Sequence, residues 1–176
     1  MGRLTRRVPH PDLPQAIEKA LELAKGERVL AFAVDDNTGG YVVATTYALA
    51  VFTSSVERIL RRRWLSVDAG AWEPVTATLT VTWADGRRAG QWSFRDQQTL
   101  LPEAVRERVQ ASVVLSTRLN LGDRRTGRVA IRQDFATRAL IPQTILGRYA
   151  RAYDPEVQAH VQAALAHLRD QVGLPA

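Results

Sequence analysis

The sequence has no cysteine, which excludes a disulfide framework, a thiol nucleophile and a thiolate metal site. That absence fits a reducing compartment. Lysine is nearly missing as well: Lys19 and Lys25 are the only lysines among 24 basic residues. There is no long apolar run. The longest mostly apolar stretch, Tyr41 to Phe52, contains Thr45 and Thr46 and falls far short of the roughly 20 residues that cross a bilayer. The start, Met1-Gly2-Arg3-Leu4-Thr5-Arg6-Arg7, is basic, but no apolar signal core follows it. The expectation is a soluble, cytoplasmic protein without integral membrane association.

Local catalytic signatures are missing too. There is no G-x-S-x-G elbow, no G-x-x-x-x-G-K-[ST] loop and no G-x-G-x-x-G turn, so neither an exposed serine nucleophile nor a phosphate cradle is signalled. Asp35-Asp36-Asn37 does not have the spacing of a calcium loop and reads as a turn. Of the three histidines, His10, His160 and His167, the last two lie seven apart on one predicted helix. That is about 10 Å along the axis, too far to share a metal directly. No catalytic residue, cofactor site or metal site is assigned.

What is present is an ordinary globular composition: 176 residues, 45% of them apolar. A chain of that length buries about 70% of its unfolded surface, enough for a core without staples. The formal charge is +6, spread along the chain rather than gathered in a tail. The arginine bias fits a GC-rich coding sequence as well as a selected surface.

Hydrophobic periodicity then divides the chain. Residues 1–11 read as an arm in which Pro9 and Pro11 prevent regular structure. A helix is expected over 12–26, capped by Asp12, with Pro14 in its first turn and Gly26 as its stop. Arg28–Val34 reads as a strand ending in the turn cluster Asp35 to Gly40. Tyr41–Thr46 and Ala48–Thr53 follow as one bent strand or two short ones, and Ile59–Val67 as the next. Thr76 to Trp83 alternates with period two and returns as Gly90 to Arg95 across Asp85-Gly86, a type I′ signal. Leu101–Val109 is a short helix with Pro102 at its start. Strands are expected again from Ser112 to Leu121, over Arg128–Arg132 and over Leu140–Tyr149. A final helix begins at Asp154-Pro155, carries the stripe Val157, Val161, Ala164, Leu165, Leu168 and Val172, and stops at Gly173.

Residues 27–111 thus read as four or so strands, a hairpin and a helix. That order resembles the bacterial pleckstrin-homology-like and GRAM-like barrels, and Gly39-Gly40-Tyr41-Val42-Val43-Ala44-Thr45-Thr46-Tyr47-Ala48-Leu49 looks like their strand pair with a threonine corner. The whole chain is also similar to an uncharacterised actinobacterial family, through Gly26-Glu27-Arg28-Val29-Leu30, Trp64-Leu65-Ser66-Val67-Asp68, Arg106-Glu107-Arg108-Val109-Gln110-Ala111-Ser112-Val113-Val114 and the Asp154-Pro155 helix. The resemblance implies one α+β domain: an antiparallel barrel portion over 27–111, preceded by the N-terminal helix and followed over 112–176 by additional strands and the C-terminal helix. It implies a scaffold for binding and names no ligand.

Two features point beyond structure. Trp64, Trp72, Trp83 and Trp92 fall in the barrel portion, where large aromatics fill a core or, as in oligonucleotide-binding folds, offer a stacking platform. Arginines cluster at Arg58 and Arg61 to Arg63, and occur in pairs at Arg87-Arg88 and Arg124-Arg125. Charged strand edges discourage aggregation; alternatively Arg61, Arg62, Arg63, Arg124 and Arg125 form an anion site, since arginine grips phosphate bidentately. The leading expectation is a non-enzymatic binding module for a protein or peptide. The alternative is a basic RNA- or DNA-binding protein, and the third is an enzyme whose site is assembled across the chain.

Overall fold

A computed structural model describes residues 12–175; the expected N-terminal arm lies outside the described residues. Among the described residues the chain is α+β, with three antiparallel sheets and three α-helices. The first sheet holds β1 (Val29–Val34), β2 (Tyr41–Thr45), β3 (Ala48–Phe52) and β4 (Arg58–Arg63) in chain order. Its first turn forms as the Asp35 to Gly40 cluster directs: Thr38 Oγ1 donates to Asp35 Oδ2 at 2.7 Å and Gly39 takes φ +67°, a value glycine accepts without steric cost. The Tyr41–Phe52 run resolves into two strands. Their corner is held by the Thr45 hydroxyl, which accepts from Ala48 N at 2.9 Å and donates to Glu27 Oε1 at 2.5 Å.

Every residue of β3 is buried, because both faces of this sheet are covered. Val43, Ala50 and Phe52 pack against Ile17 and Leu21 on one side, while Val42, Leu49 and Val51 enter the main core on the other. That double burial explains an apolar run without alternation. The covering helix is shorter than expected. Helix α1 spans Gln15–Ala20, its N-cap is Pro14 rather than Asp12, and no side chain caps it. Gly26 does take φ +81°, but the helix has already ended six residues before it.

The strand expected over Ile59–Val67 is broken. After β4 comes a 3-10 turn at Trp64–Ser66, and β5 (Val67–Glu73) enters a second sheet with β6 (Thr78–Trp83) and β7 (Gly90–Ser93). The break lets Trp64 turn inward, where it is buried and donates its indole N–H to Thr45 O at 2.9 Å. The β6–β7 hairpin forms with Leu79 opposite Trp92 and Val81 opposite Gly90. Its turn is not a two-residue type I′ turn. Residues 84–89 form a wide loop, because Trp83 donates its indole N–H to Arg88 O at 3.1 Å and holds the loop open.

Helix α2 (Leu101–Ser112) closes this half by laying Leu101, Val105 and Val109 into the core shared by both sheets. It lies close to β5: a Cβ on Gly70 would stand 2.6 Å from Val105 Cγ1. Among the described residues no sheet closes on itself; side chains, not a continuous ladder, fill the space between them.

The third sheet orders β10 (Leu140–Leu146), β9 (Gly127–Gln133) and β8 (Val113–Arg118), with helix α3 (Pro155–Gln171) on one face. Asp154 caps α3 by accepting from Glu156 N at 3.0 Å, and Gly173 takes φ +68° beyond its end. Strand β9 divides by parity. Val129 and Ile131 join Val157 and Leu168 of α3 in an apolar cluster. Arg128 and Arg132 turn the other way, toward the first two sheets. Arg132 is 1% exposed. It donates from Nε to Ser112 Oγ at 2.9 Å, and from Nη2 to Trp64 O at 2.8 Å and Val67 O at 3.1 Å. Arg128 pairs with Asp68, Arg63 with Asp134, and Gln143 Nε2 donates to Leu65 O at 2.7 Å. The third layer is thus docked on the 3-10 turn by a polar seam.

Candidate functional site

The arginines of β4 stand on an edge strand and are all engaged within the chain. Arg61 meets Glu27 at 2.5 Å, Arg62 meets Asp85 at 3.0 Å, Arg63 pairs with Asp134, and Arg58 meets Glu22 at 2.9 Å. The Arg62 guanidinium also lies 4.5 Å above the centre of the Trp83 ring. Burial pushes the Glu27 carboxyl up, but hydrogen bonds from Thr45, Ala24 N and Arg61 outweigh it and leave the group below its usual range. Arg61 therefore closes a small buried network.

Arg124 and Arg125 lie elsewhere, in the loop between β8 and β9. Arg124 is exposed with φ +63°. Arg125 turns to the start of α3, 2.8 Å from Glu156 and 3.5 Å from Asp154. Its hydrogen bond and charge hold Glu156 below the usual carboxylate range. The structure does not gather the five arginines: three belong to the first sheet and two to the far end of the third.

The tryptophans follow the core reading in part. Trp64 and Trp83 are buried, Trp92 is half-buried, and Trp72 stacks on Phe94 with ring centres 6.4 Å apart. His160 and His167 sit on the exposed side of α3, contacting Glu156 O and Gln171; His10 lies outside the described residues. Among the described residues no group of three or more acidic or histidine side chains is placed to hold a metal ion. No helix there is long and apolar enough to cross a membrane.

Beside β4 a shallow concavity of about 520 Å³ is lined by Arg58, Arg61 and Arg63 together with Glu22, and the ion pairs just described already engage these arginines. Two further concave surfaces are built across separate elements. One follows the open edge of β1, a groove of about 340 Å³ lined by Leu13, Val29, Leu30, Ala31, Phe32 and Leu100, with Asp12 at one end. Leu30 is 38% and Leu100 59% exposed. Beyond Phe32 the same edge is already occupied by side chains: Thr99 donates to Phe32 O at 2.7 Å, and the Gln97 amide both donates to Val34 O and accepts from Val34 N. An amide side chain here imitates a neighbouring strand, and its imitation stops where the groove begins.

The other surface is a cleft of about 500 Å³ where the second and third sheets meet. Asp68, Trp83, Arg118, Thr126, Arg128 and Gly147 are among its lining residues. None of the groups whose proton affinity the fold shifts (Glu27, Asp85, Arg125, Arg132 and Glu156) lines either surface.

Neither surface was legible in sequence. Leu30 and Leu100 are seventy residues apart and share no motif. The residues after β10 carry a signal, Arg148-Tyr149-Ala150-Arg151-Ala152-Tyr153, but a strand read through to Tyr149 obscures it; β10 ends at Leu146. Comparison of the chain with protein-family models, curated proteins and solved structures finds no match.

Proposed function

We propose that this chain is a non-enzymatic, cytoplasmic binding module that captures an extended peptide along the open edge of β1. The observation that carries it is the groove itself: an edge strand whose backbone is closed by Gln97 and Thr99 over one half and bordered by Leu13, Leu30 and Leu100 over the other. An extended peptide adds to such an edge through main-chain hydrogen bonds, while alternate side chains enter the flanking pocket. The room at Leu30 to Phe32 suits a short pairing with one apolar anchor between Leu13 and Leu100. Support for reading residues 27–111 as a pleckstrin-homology-like barrel portion comes from the element order: four strands, three strands, then α2, around one core.

Panning a displayed library of random peptides on the full chain, then titrating the selected peptides by amide NMR, tests the proposal. Expected are shifts concentrated at Val29 to Phe32 and at Thr99 to Leu101. Leu100→Glu, which places a charge in the groove, should weaken the selected peptide by about tenfold or more. Selection of no peptide, or shifts that leave the β1 edge untouched, would refute it.

A further inference from the structure

The two loops at one end of the third sheet form one continuous surface. Loop 119–126 joins β8 to β9, and loop 147–154 joins β10 to α3. They touch: Gly147 N donates to Thr126 O at 2.8 Å, and Arg125 reaches across to Asp154 and Glu156. The second loop is fixed rather than trailing. Ala150 is buried in the α3 cluster, Ala150 N donates to Gly147 O at 3.0 Å, and Asp154 N donates to Arg151 O at 3.1 Å. Anchoring Ala150 leaves Arg148, Tyr149, Arg151 and Tyr153 outward.

Tyr149 is 63% and Tyr153 72% exposed, and the Arg151 guanidinium stands 5.9 Å from the centre of the Tyr153 ring. Both tyrosines carry amphipathic rings whose faces are open to a stacking partner beside charged groups.

The charge at this end is only partly answered. Arg125 and Arg128 have carboxylate partners, whereas Arg118, Arg124, Arg148 and Arg151 have none among the described residues. Arg118 and Arg128 are also directly opposite each other on paired strands, a like-charge placement that is unfavourable unless something negative lies near both. Asp68 answers Arg128 alone. Both arginines line the inter-sheet cleft, and Gly147, another of its lining residues, immediately precedes Arg148.

We infer that this end of the third sheet is a binding site for single-stranded nucleic acid, with phosphates drawn to Arg118, Arg124, Arg148 and Arg151 and bases stacked on Tyr149 and Tyr153. Among the described residues, exposed Asp123 is the one carboxylate of these two loops outside an ion pair, and against four unpaired arginines it leaves a positive excess that a polyanion complements. The two exposed rings interleaved with the arginines select unpaired bases, because stacking needs a free base face and tolerates any sequence. The site is independent of the β1 groove and shares no residue with it.

Fluorescence anisotropy of labelled oligo(dT) and oligo(U) of about 12 nucleotides, against the full chain at two salt concentrations, tests the inference. Binding should weaken as salt rises, by about 0.7 in log–log slope for each phosphate contacted. Arg148→Glu with Arg151→Glu should weaken it by roughly tenfold or more and flatten the slope. Tyr149→Ala with Tyr153→Ala should cost about tenfold with the slope kept; these surface variants are checked for an unchanged thermal unfolding profile. No binding at low salt, or a loss from Arg58→Glu on β4 as large as that from the loop pair, would overturn the inference. Tighter binding to a duplex of equal length would also overturn it, as would binding to phosphatidylserine vesicles but not to oligonucleotides.

Discussion

The two junctions inside this chain are built from opposite materials. Between the first and second sheets, the filling is apolar: Ala33, Leu49, Val81, Phe94, Leu101 and Val105 meet in one cluster with Trp64. Between that unit and the third sheet, the contacts are mainly polar, a buried guanidinium, two ion pairs that cross to it and a glutamine amide, with Phe135 between β9 and β10 as an apolar exception. Arg132 at its centre has no carboxylate against it. Burial, aided by repulsion from Arg128, pushes its pKa down to about 10, so it stays charged at neutral pH. Three backbone and hydroxyl oxygens, on Trp64, Val67 and Ser112, satisfy it instead. An apolar junction is strong but tolerant of sliding; a buried guanidinium read by fixed carbonyls allows one register. The comparison teaches that arginine here is first a structural residue, and that only those left unanswered are candidates for a ligand.

Trp64 belongs to both junctions, and removing it should have the largest effect. Trp64→Ala is expected to destabilise the fold by about 3–5 kcal/mol through the cavity it leaves, read by denaturant unfolding. Arg132→Met keeps much of the volume but strands three acceptors, at an expected cost of about 2–3 kcal/mol. A neutral or stabilising outcome would make the seam equivalent to an apolar junction and break the contrast.

A third prediction concerns the network that holds Arg61. The folded Glu27 carboxyl lies below its usual value of 4.5, so its stabilising contribution is complete above that value. It is lost as pH falls through the lower folded value, because the unfolded chain takes up the proton first. Glu27→Gln should flatten the acid side of a melting-temperature profile while lowering stability at neutral pH. The smallest expected effect is at the edge of the third layer. Asp154→Ala removes the α3 cap at a cost of about 1 kcal/mol, and hydrogen exchange should quicken in α3 and β9 and stay unchanged in β2 and β3. Equal quickening in both would show that the two junctions unfold as one.

The elements with a strict period were the legible ones. Alternation through Thr78 to Trp83 placed Leu79, Val81 and Trp83 on the buried face, and the stripe on α3 with Asp154 before it placed that helix and its start. The Arg128 to Arg132 alternation showed that Val129 and Ile131 share a face. It could not show that the arginine face is also covered, since a period of two separates faces without saying what lies on each. The 3-10 break at Trp64–Ser66 was hidden for a related reason: Arg58 to Arg63 runs into Trp64-Leu65 without glycine or proline to mark a stop. The loop around Asp85-Gly86 was misjudged because a partner five residues away, Arg88 O for the Trp83 indole, outweighs the local turn preference.

The candidate surfaces separate in the same way. Sequence alone determined that the chain is arginine-rich, free of cysteine and of local catalytic motifs, and patterned as strands followed by a capped amphipathic helix, because composition and periodicity are local properties. Tertiary structure alone decided which arginines are already spent on carboxylates and carbonyls, which are left in water beside Tyr149 and Tyr153, and that Leu30 and Leu100 border one groove. Charge and burial are set by neighbours, and in this antiparallel fold the decisive neighbours come from distant stretches of chain.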